Sequence, residues 1–372
     1  MENERKVCFI YDNDYLREMN RLPRVEGRAY IVHELIKAYR LLESITILKP
    51  CQATEEELKS FHTEEYVEFL KKIEDISDLE KEDLLNMCEQ FGLDYDCPVV
   101  NKHYTMVTWQ AGGTLTAARA LLNSNCTISV NWEGGWHHAK KDEAAGFCYI
   151  NDPVLAILEL RSKFDKVLYI DFDLHHGDGV EDAFAFTKKV MVVSFHKYGE
   201  GFFPGTGAIT NVGCGKGRYY SVNVPLHDGI TDFKFCNIIT RILNKVYEKF
   251  RPDVIVCQCG VDTLSNDPME SFNLTNLGIG NCLKLLLSWK LPLLVLGGGG
   301  YNFWNAARCW CYLTGVLLGI ELNPDIPDHK FFLNYGPDYE LNITPGNRPD
   351  KNSNEYIEQL VKTVLGNLDF VC

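Results

Sequence analysis

The stretch VLYIDFDLHHGD, residues 167–178, decides how the rest of the chain is read. Its first four residues are apolar without a polar alternation, as in a strand covered on both faces. Its continuation then sets Asp171, Asp173 and His175 at alternate positions. In an extended chain alternate side chains point to the same side, so Asp173 and His175 can converge on one metal ion. A buried strand that ends in concentrated polar chemistry is the pattern of an α/β protein, in which ligand sites form beyond the carboxyl ends of parallel strands.

Similar apolar, β-branched runs lie at 7–11, 128–131, 190–194, 220–224, 254–259 and 293–296. Segments with helical periodicity separate many of them, at 29–42, 114–123, 152–163, 233–250, 278–289 and 305–318. Thr54 with Glu57 reads as a capping box. Residues 352–372 carry a further helical pattern through Tyr356, Leu360 and Val364. Alternating strands and helices predict helices flanking a mainly parallel sheet. There is no composition break and no internal repeat, so residues 1–372 are expected to form one domain.

Three more strands are followed at once by polar residues: NWEGGWHH from Asn131, CGVDTLSNDP from Cys259 and GGGGYN from Gly297. Asp262, at the end of its strand, is a suitable third metal ligand. Zinc takes about four ligands and accepts imidazole and carboxylate, so three protein ligands leave one position for water. The donor set also admits iron(II) or cobalt. His137 and His138 suit general acid and base work, since imidazole titrates near neutrality. Each needs a carboxylate on its far nitrogen, and Asp171 and Asp178 are available. The glycine run 297–300 lacks the Lys-Ser/Thr of a phosphate loop. It allows a tight turn that brings Tyr301 toward the site, where its phenol can donate to a developing oxyanion.

The bulk properties narrow the setting. The net charge of −14 argues against direct nucleic-acid binding and is compatible with a basic substrate. The 14 cysteines include no CxxC pair and several sit in apolar runs, the pattern of reduced buried thiols. Cys148 reads as one of these. The charged start MENERKVCFIY is not that of a signal peptide, and no apolar stretch is long enough to span a bilayer. The Asn-x-Thr triplets at Asn125, Asn273 and Asn342 then carry no glycosylation meaning.

The stretches NWEGGWHHAKKDEAAGFCYINDPVLAI, LYIDFDLHHGDGVEDAF, GFFPGTG, GKGRYYSVNVPL, CGVDTLSNDPMESFNLT and LGGGGYNFWNAARCW closely resemble class I zinc-dependent histone deacetylases. The resemblance runs along essentially the whole chain. It implies a single-domain arginase/deacetylase-like fold with an eight-stranded sheet. It implies zinc on Asp173, His175 and Asp262, tandem histidines at His137 and His138 with Asp171 and Asp178 as partners, and an oxyanion tyrosine at Tyr301. Its acyl-lysine tunnel maps to Gly146, Phe147 and Phe203, with Met269 at the rim. Its substrate-backbone carboxylate maps to Asp96, and its inner acetate pocket to Trp136 and Arg28. A structural potassium is implied at main-chain oxygens of Asp171, Asp173, His175 and Phe195 with the Ser194 hydroxyl.

The departures inform as well. Complex-bound members of the class carry two arginines for an inositol phosphate, where this chain has Pro268 and Trp304. No obligate co-repressor or inositol phosphate is therefore expected, and the chain is expected to act as a monomer. GFFPGTG, DPMESFN and an end soon after the fold closes point to one short isozyme of the class. A serine phosphorylated in that isozyme is Tyr30 here. The implied reaction is hydrolysis of acetyl-lysine in histones and other proteins, in nucleus and cytoplasm. The alternatives are a fatty-acyl-lysine deacylase, an acetylpolyamine amidohydrolase with Glu270 as an acidic gatekeeper, and an inactive acetyl-lysine-binding scaffold. A ureohydrolase of the same fold would need more ligands for paired manganese.

Overall fold

The computed structural model describes residues 6–74 and 82–372. Eight strands form one sheet: β1 (Val7–Ile10), β2 (Thr46–Leu48), β3 (Ile128–Asn131), β4 (Val167–Asp171), β5 (Val190–Lys197), β6 (Ser221–Leu226), β7 (Val254–Gln258) and β8 (Leu293–Leu296). Their spatial order is β2-β1-β3-β8-β7-β4-β5-β6, and every neighbouring pair is parallel. The expected mainly parallel sheet is thus wholly parallel among the described residues.

Two hydrophobic cores sandwich the sheet, and the strands feed them alternately. In β4, Leu168 and Ile170 enter one core while Val167 and Tyr169 enter the other. This two-residue alternation between two apolar cores is why the run looks uniformly hydrophobic in sequence. Helices Arg28–Ala38, Asp232–Phe250, Asn276–Ser288, Phe303–Leu318 and Asn354–Leu368 cover the first face. Helices His103–Leu122 and Asp152–Leu160 cover the second. Helix Asp232–Phe250 buries Phe235, Ile238, Ile239, Ile242, Leu243, Val246 and Phe250, spaced by three and four as one apolar stripe requires. At roughly 1.5–3 kcal/mol per buried large side chain, that stripe outweighs the exposed Arg241–Glu358 ion pair on its outer face.

Two elements depart from expectation. The eighth strand, β2, has two exposed residues and one partly buried one, so no apolar run marks it. It pairs only with β1, at the sheet edge. Helix His103–Leu122 begins eleven residues before the expected 114–123 segment. Its middle contains Gly112 and Gly113, poor helix formers retained for packing. A Cβ on Gly112 would lie 1.9 Å from the Cys51 carbonyl oxygen, and one on Gly113 would lie 2.4 Å from the Tyr15 hydroxyl. The capping box at Thr54 and Glu57 forms, with Glu57 N–H donating to Thr54 Oγ1.

Candidate metal and acid–base site

The parallel arrangement turns all strand carboxyl ends the same way. Strands β3, β8, β7 and β4 are consecutive neighbours, so the loops following them meet at one edge. These are the four stretches that carry Asn131, Gly297, Cys259 and Asp171.

Asp173, His175 and Asp262 converge there, buried, each offering a ligand atom within 4.8 Å of the others. His175 Nδ1 lies 2.9 Å from Asp262 Oδ2 and 3.3 Å from Asp173 Oδ1. The carboxylates are aimed by donors from the surrounding loops. Asp173 Oδ2 accepts from Gln258 Nε2 at 2.8 Å and from Gly299 N–H at 2.9 Å. Asp262 Oδ1 accepts from Leu174 N–H at 2.9 Å. The close approach requires glycine: a Cβ on Gly260 would stand 2.0 Å from Asp173 Oδ2.

The electrostatics of this trio are those of a cation site. Burial opposes a charge on His175, but Asp173 and Asp262 outweigh it and raise its pKa to about 10. Burial, reinforced by Asp173, raises Asp262 to about 7. Asp173 is held well below the usual carboxylate range: burial opposes this, and His137 and His175 prevail. Two buried carboxylates thus compete for one imidazole proton. A divalent ion supplies the missing charge and matches the oxygen and nitrogen donors, so the residues fit a metal.

His137 and His138 stand beside it. Their Nε2 atoms are 3.0 Å apart. His137 Nδ1 lies 2.7 Å from Asp171 Oδ2, and His138 Nδ1 lies 2.7 Å from Asp178 Oδ1. Each carboxylate places a proton on Nδ1 and points Nε2 at the site. Burial disfavours charge on His137, but Asp171 and Asp173 overcome it and raise the group to about 9. Burial and the charge of His137 push His138 down to about 3. With the two rings in contact, a charge on one imidazole disfavours a charge on the other, and Asp171 and Asp173 draw it toward His137. Asp171 is fixed in turn by the Tyr169 hydroxyl, which donates to it at 2.8 Å, and Asp178 by an ion pair with Lys140.

Tyr301 is held by its backbone, whose N–H donates to Asp267 Oδ2 at 2.8 Å. Its hydroxyl makes no hydrogen bond among the described residues. Burial, with Asp262 and Asp173 nearby, raises its pKa well above the ordinary phenol value, so it stays a donor. Phe147 meets the Tyr301 ring edge-on at 5.8 Å, and Phe203 meets the His138 ring at 4.9 Å. Gly146 sits between them: its φ is +52°, and a Cβ would come within 2.7 Å of His138 and 2.8 Å of Phe203. Phe203 and Asp96 are exposed and Met269 is partly buried, as residues at an opening should be.

Arg28 is buried beneath this floor. Its Nη1 donates to the Gly298 and Gly300 carbonyls at 3.0 Å each, and its guanidinium lies over Trp136 and Trp310. The structure thus ties Arg28 to the glycine run that carries Tyr301. Its Nε and Nη2 have no hydrogen-bond partner among the described residues. The buried Glu133 adds a carboxylate to this inner region, 3.2 Å from His33. The five residues expected around a potassium ion are all buried. Asp171 and Ser194 face each other in the β4–β5 register, and the Ser194 hydroxyl lies 2.8 Å from His196 Nδ1.

Several site residues went unassigned in sequence. Gln258 braces Asp173 but is one polar letter at the end of an apolar strand. Asp267 holds the Tyr301 backbone. Asp152 accepts from the Gly135 and Trp136 N–H groups at 2.9 Å and so shapes the histidine loop. Arg24 lies over Phe147 and Tyr95. Phe202 stacks on His175 at 5.1 Å. Their types have many uses in loops, and only their position shows which use applies.

Comparison with known proteins agrees with this geometry. Residues 22–317 match the histone deacetylase domain family. Histone deacetylase 8 of Danio rerio is 51% identical, covering 98% of this chain and 95% of the relative. Histone deacetylase 8 of Xenopus tropicalis is 50% identical over 99% of each chain. Histone deacetylase 1 of Bos taurus is 44% identical over 98% of this chain and 75% of the relative.

Proposed function

The chain belongs to the histone deacetylase family, and from that premise we propose that residues 1–372 form one catalytic domain that hydrolyses N-ε-acetyl-lysine to lysine and acetate. Its likeness within the family is to the histone deacetylase 8 type. The observation that carries the proposal is the meeting, beyond four adjacent strands, of a buried Asp-His-Asp trio and two histidine–carboxylate pairs.

Asp173, His175 and Asp262 are the ligands of a divalent ion, zinc in this reading, with iron(II) as the physiological alternative. Zinc bound there would polarise the acetyl carbonyl and lower the pKa of water. Phe147 and Phe203 pack along the lysine methylenes and exclude water from the reacting amide. His138, neutral and with Nε2 free to accept, takes the proton from the attacking water; charged His137 supports it electrostatically. The protonated imidazole then gives a proton to the departing amine. Tyr301 donates to the oxyanion as it forms. Asp96 and Met269 receive the substrate backbone at the rim, and Arg28 with Trp136 forms the inner end of the pocket. A potassium ion on the main chain of Asp171, Asp173, His175 and Phe195, with Ser194, would stiffen the segment that presents the ligands.

Substrates in this reading are acetylated lysines of histones and other proteins. The rim disfavours the polyamine alternative, because Glu270 lies 3.5 Å from Arg348 and its charge is already partnered. Trp304 packs edge-on against Phe331 and Tyr335, and Pro268 carries no charge, so neither supplies an inositol-phosphate contact. We infer a monomer that acts without a co-repressor or nucleic acid, in nucleus and cytoplasm. No helix among the described residues is long and apolar enough to cross a membrane.

The test is turnover by the purified chain, without partners, after chelation and zinc restoration. Acetyl-lysine peptide, fatty-acyl-lysine peptide and acetylspermidine are compared. Zinc-restored turnover with acetyl-lysine preferred is expected. Turnover untouched by chelation, or preference for acetylspermidine, overturns the reading.

A further inference from the structure

Behind the rim, helices Asp232–Phe250 and Asn276–Ser288 pack against each other on the same face of the sheet. Cys236 stands in the second turn of the first helix and Cys282 in the second turn of the other. Their sulfur atoms are 3.7 Å apart, in van der Waals contact across the helix interface. Cys236 is partly exposed, whereas Cys282 is buried. Cys236 Sγ is also 3.4 Å from the Gly278 carbonyl oxygen, so its side chain is already turned toward the second helix. The metal trio and the histidine pairs make no use of either thiol.

We propose that Cys236 and Cys282 form a peroxide-sensitive dithiol that closes to a disulfide joining the two helices. Cys236 is the attacking group, because it is the one a solute can reach. The contact with Cys282 lowers its pKa, while that of Cys282 is raised by its contact with Cys236 and by burial. Thiolate, not thiol, is the nucleophile. The Cys236 sulfur attacks one oxygen of hydrogen peroxide, the O–O bond breaks, and hydroxide leaves as water once protonated, giving a sulfenic acid. The Cys282 sulfur then attacks the Cys236 sulfur. The S–O bond breaks and the departing hydroxyl takes the Cys282 proton as a second water. Two thiols lose two electrons and two protons, and the peroxide is reduced to two waters. The sulfur atoms must close from 3.7 Å to about 2.05 Å. Side-chain rotation at both cysteines, with any approach of the two helices, has to supply this closure.

The bridge would act on a defined segment. Helix Asn276–Ser288 is preceded by Thr275, whose N–H and hydroxyl both donate to Asp232, the first residue of the other helix. The segment from Asp262 to Met269 leads into this junction. A covalent tie one turn beyond Asp232 and about two turns beyond Thr275 therefore anchors the far end of the segment bearing a metal ligand and the rim. Cys257 and Cys259 also approach to 3.5 Å, but both are fully buried and so closed to peroxide.

The zinc-loaded full chain is treated with graded hydrogen peroxide, quenched with N-ethylmaleimide and mapped by mass spectrometry without reduction. A cross-linked peptide pair holding Cys236 and Cys282 is expected, two hydrogens lighter than the free peptides and released by dithiothreitol. In the C282A variant, Cys236 should instead advance to sulfinic acid. In C236S, Cys282 should stay reduced at the same dose. Turnover of both variants without peroxide should equal that of the parent. The proposal is overturned if Cys236 in the parent over-oxidises as fast as in C282A, if Cys236 pairs with another cysteine, or if both thiols remain alkylatable while other cysteines oxidise.

Discussion

Replacing Gln258 with alanine tests how the Asp173 carboxylate, a proposed metal ligand, is aimed. Asp173 Oδ2 accepts two hydrogen bonds, one of them the 2.8 Å bond from Gln258 Nε2. A hydrogen bond to a charged group is worth ~1.5–3 kcal/mol, which corresponds to the 10–100-fold loss of metal affinity typical of such supporting residues. Alanine has a second consequence. Gln258 Oε1 accepts from Gly260 N–H at 2.7 Å, and Nε2 also reaches the Gly135 carbonyl at 3.2 Å. The orphaned Gly260 N–H should cost a further ~1–3 kcal/mol of fold stability. Gln258→Glu separates the effects. It keeps an acceptor for Gly260 but sets a second carboxyl against Asp173. Its metal affinity should fall as far as that of the alanine variant, with stability recovered only where the new carboxyl is protonated. Zinc affinity is measured by competition with a chromophoric chelator, and stability by urea unfolding of the metal-free proteins. If Gln258→Ala binds zinc within twofold of the parent, the carboxylate is aimed by other means and the reasoning fails.

Tyr301→Phe should keep the fold and the metal but lose ~100-fold or more in kcat, the usual cost of one oxyanion donor; near-normal turnover removes the phenol from the chemistry. Gly146→Ala should lower activity more than stability, since its Cβ would press on His138 and Phe203 at an exposed opening from a backbone with φ of +52°; unchanged kcat/KM with a lower Tm would reverse that assignment. His62 is buried, and burial lowers its pKa from 6.5 to about 4. The unfolded chain therefore takes up this proton first as acid is added. Stability contributed by neutral His62 is complete above pH 6.5 and declines toward pH 4 by ~3 kcal/mol. Urea unfolding of the parent and of His62→Gln at pH 7 and pH 4 should show that difference narrowing in acid; a constant difference refutes it.

What could be read in sequence follows from how strongly each residue is constrained. Strands such as β4 and β7 stood out because two apolar cores demand apolar side chains at successive positions, as in Val167–Ile170 and Val254–Cys257. The edge strand β2 did not, because Thr46 and Ile47 face solvent and nothing selects them for burial. The early half of helix His103–Leu122 was hidden by Gly112 and Gly113, where tertiary packing overrides helix propensity. Asp173 and His175 were legible together because their alternate spacing is itself a geometric statement. Asp262, His137, His138 and Tyr301 were legible because each follows a recognisable strand. Gln258, Asp267 and Asp152 brace the site through hydrogen bonds that reach Asp173, Tyr301 and the Gly135–Trp136 turn from other segments of the chain, and that partnership exists only in three dimensions.

The order of the sheet also governs when the enzyme comes into being on the ribosome. Strands β1, β2 and β3 form one wing and β4, β5 and β6 the other, while β7 and β8 are made last and occupy the gap between β3 and β4. Without β7 and β8 no hydrogen-bonded neighbour joins β3 to β4, and each wing would present an unpaired inner edge. The keystone strands bring Gln258, Asp262 and the glycine run with them. Closing the sheet and completing the pocket are the same event. The two donors that aim Asp173, Gln258 and Gly299, and the Asp262 partner of His175 all arrive with these last strands, so the site is complete only when the sheet is.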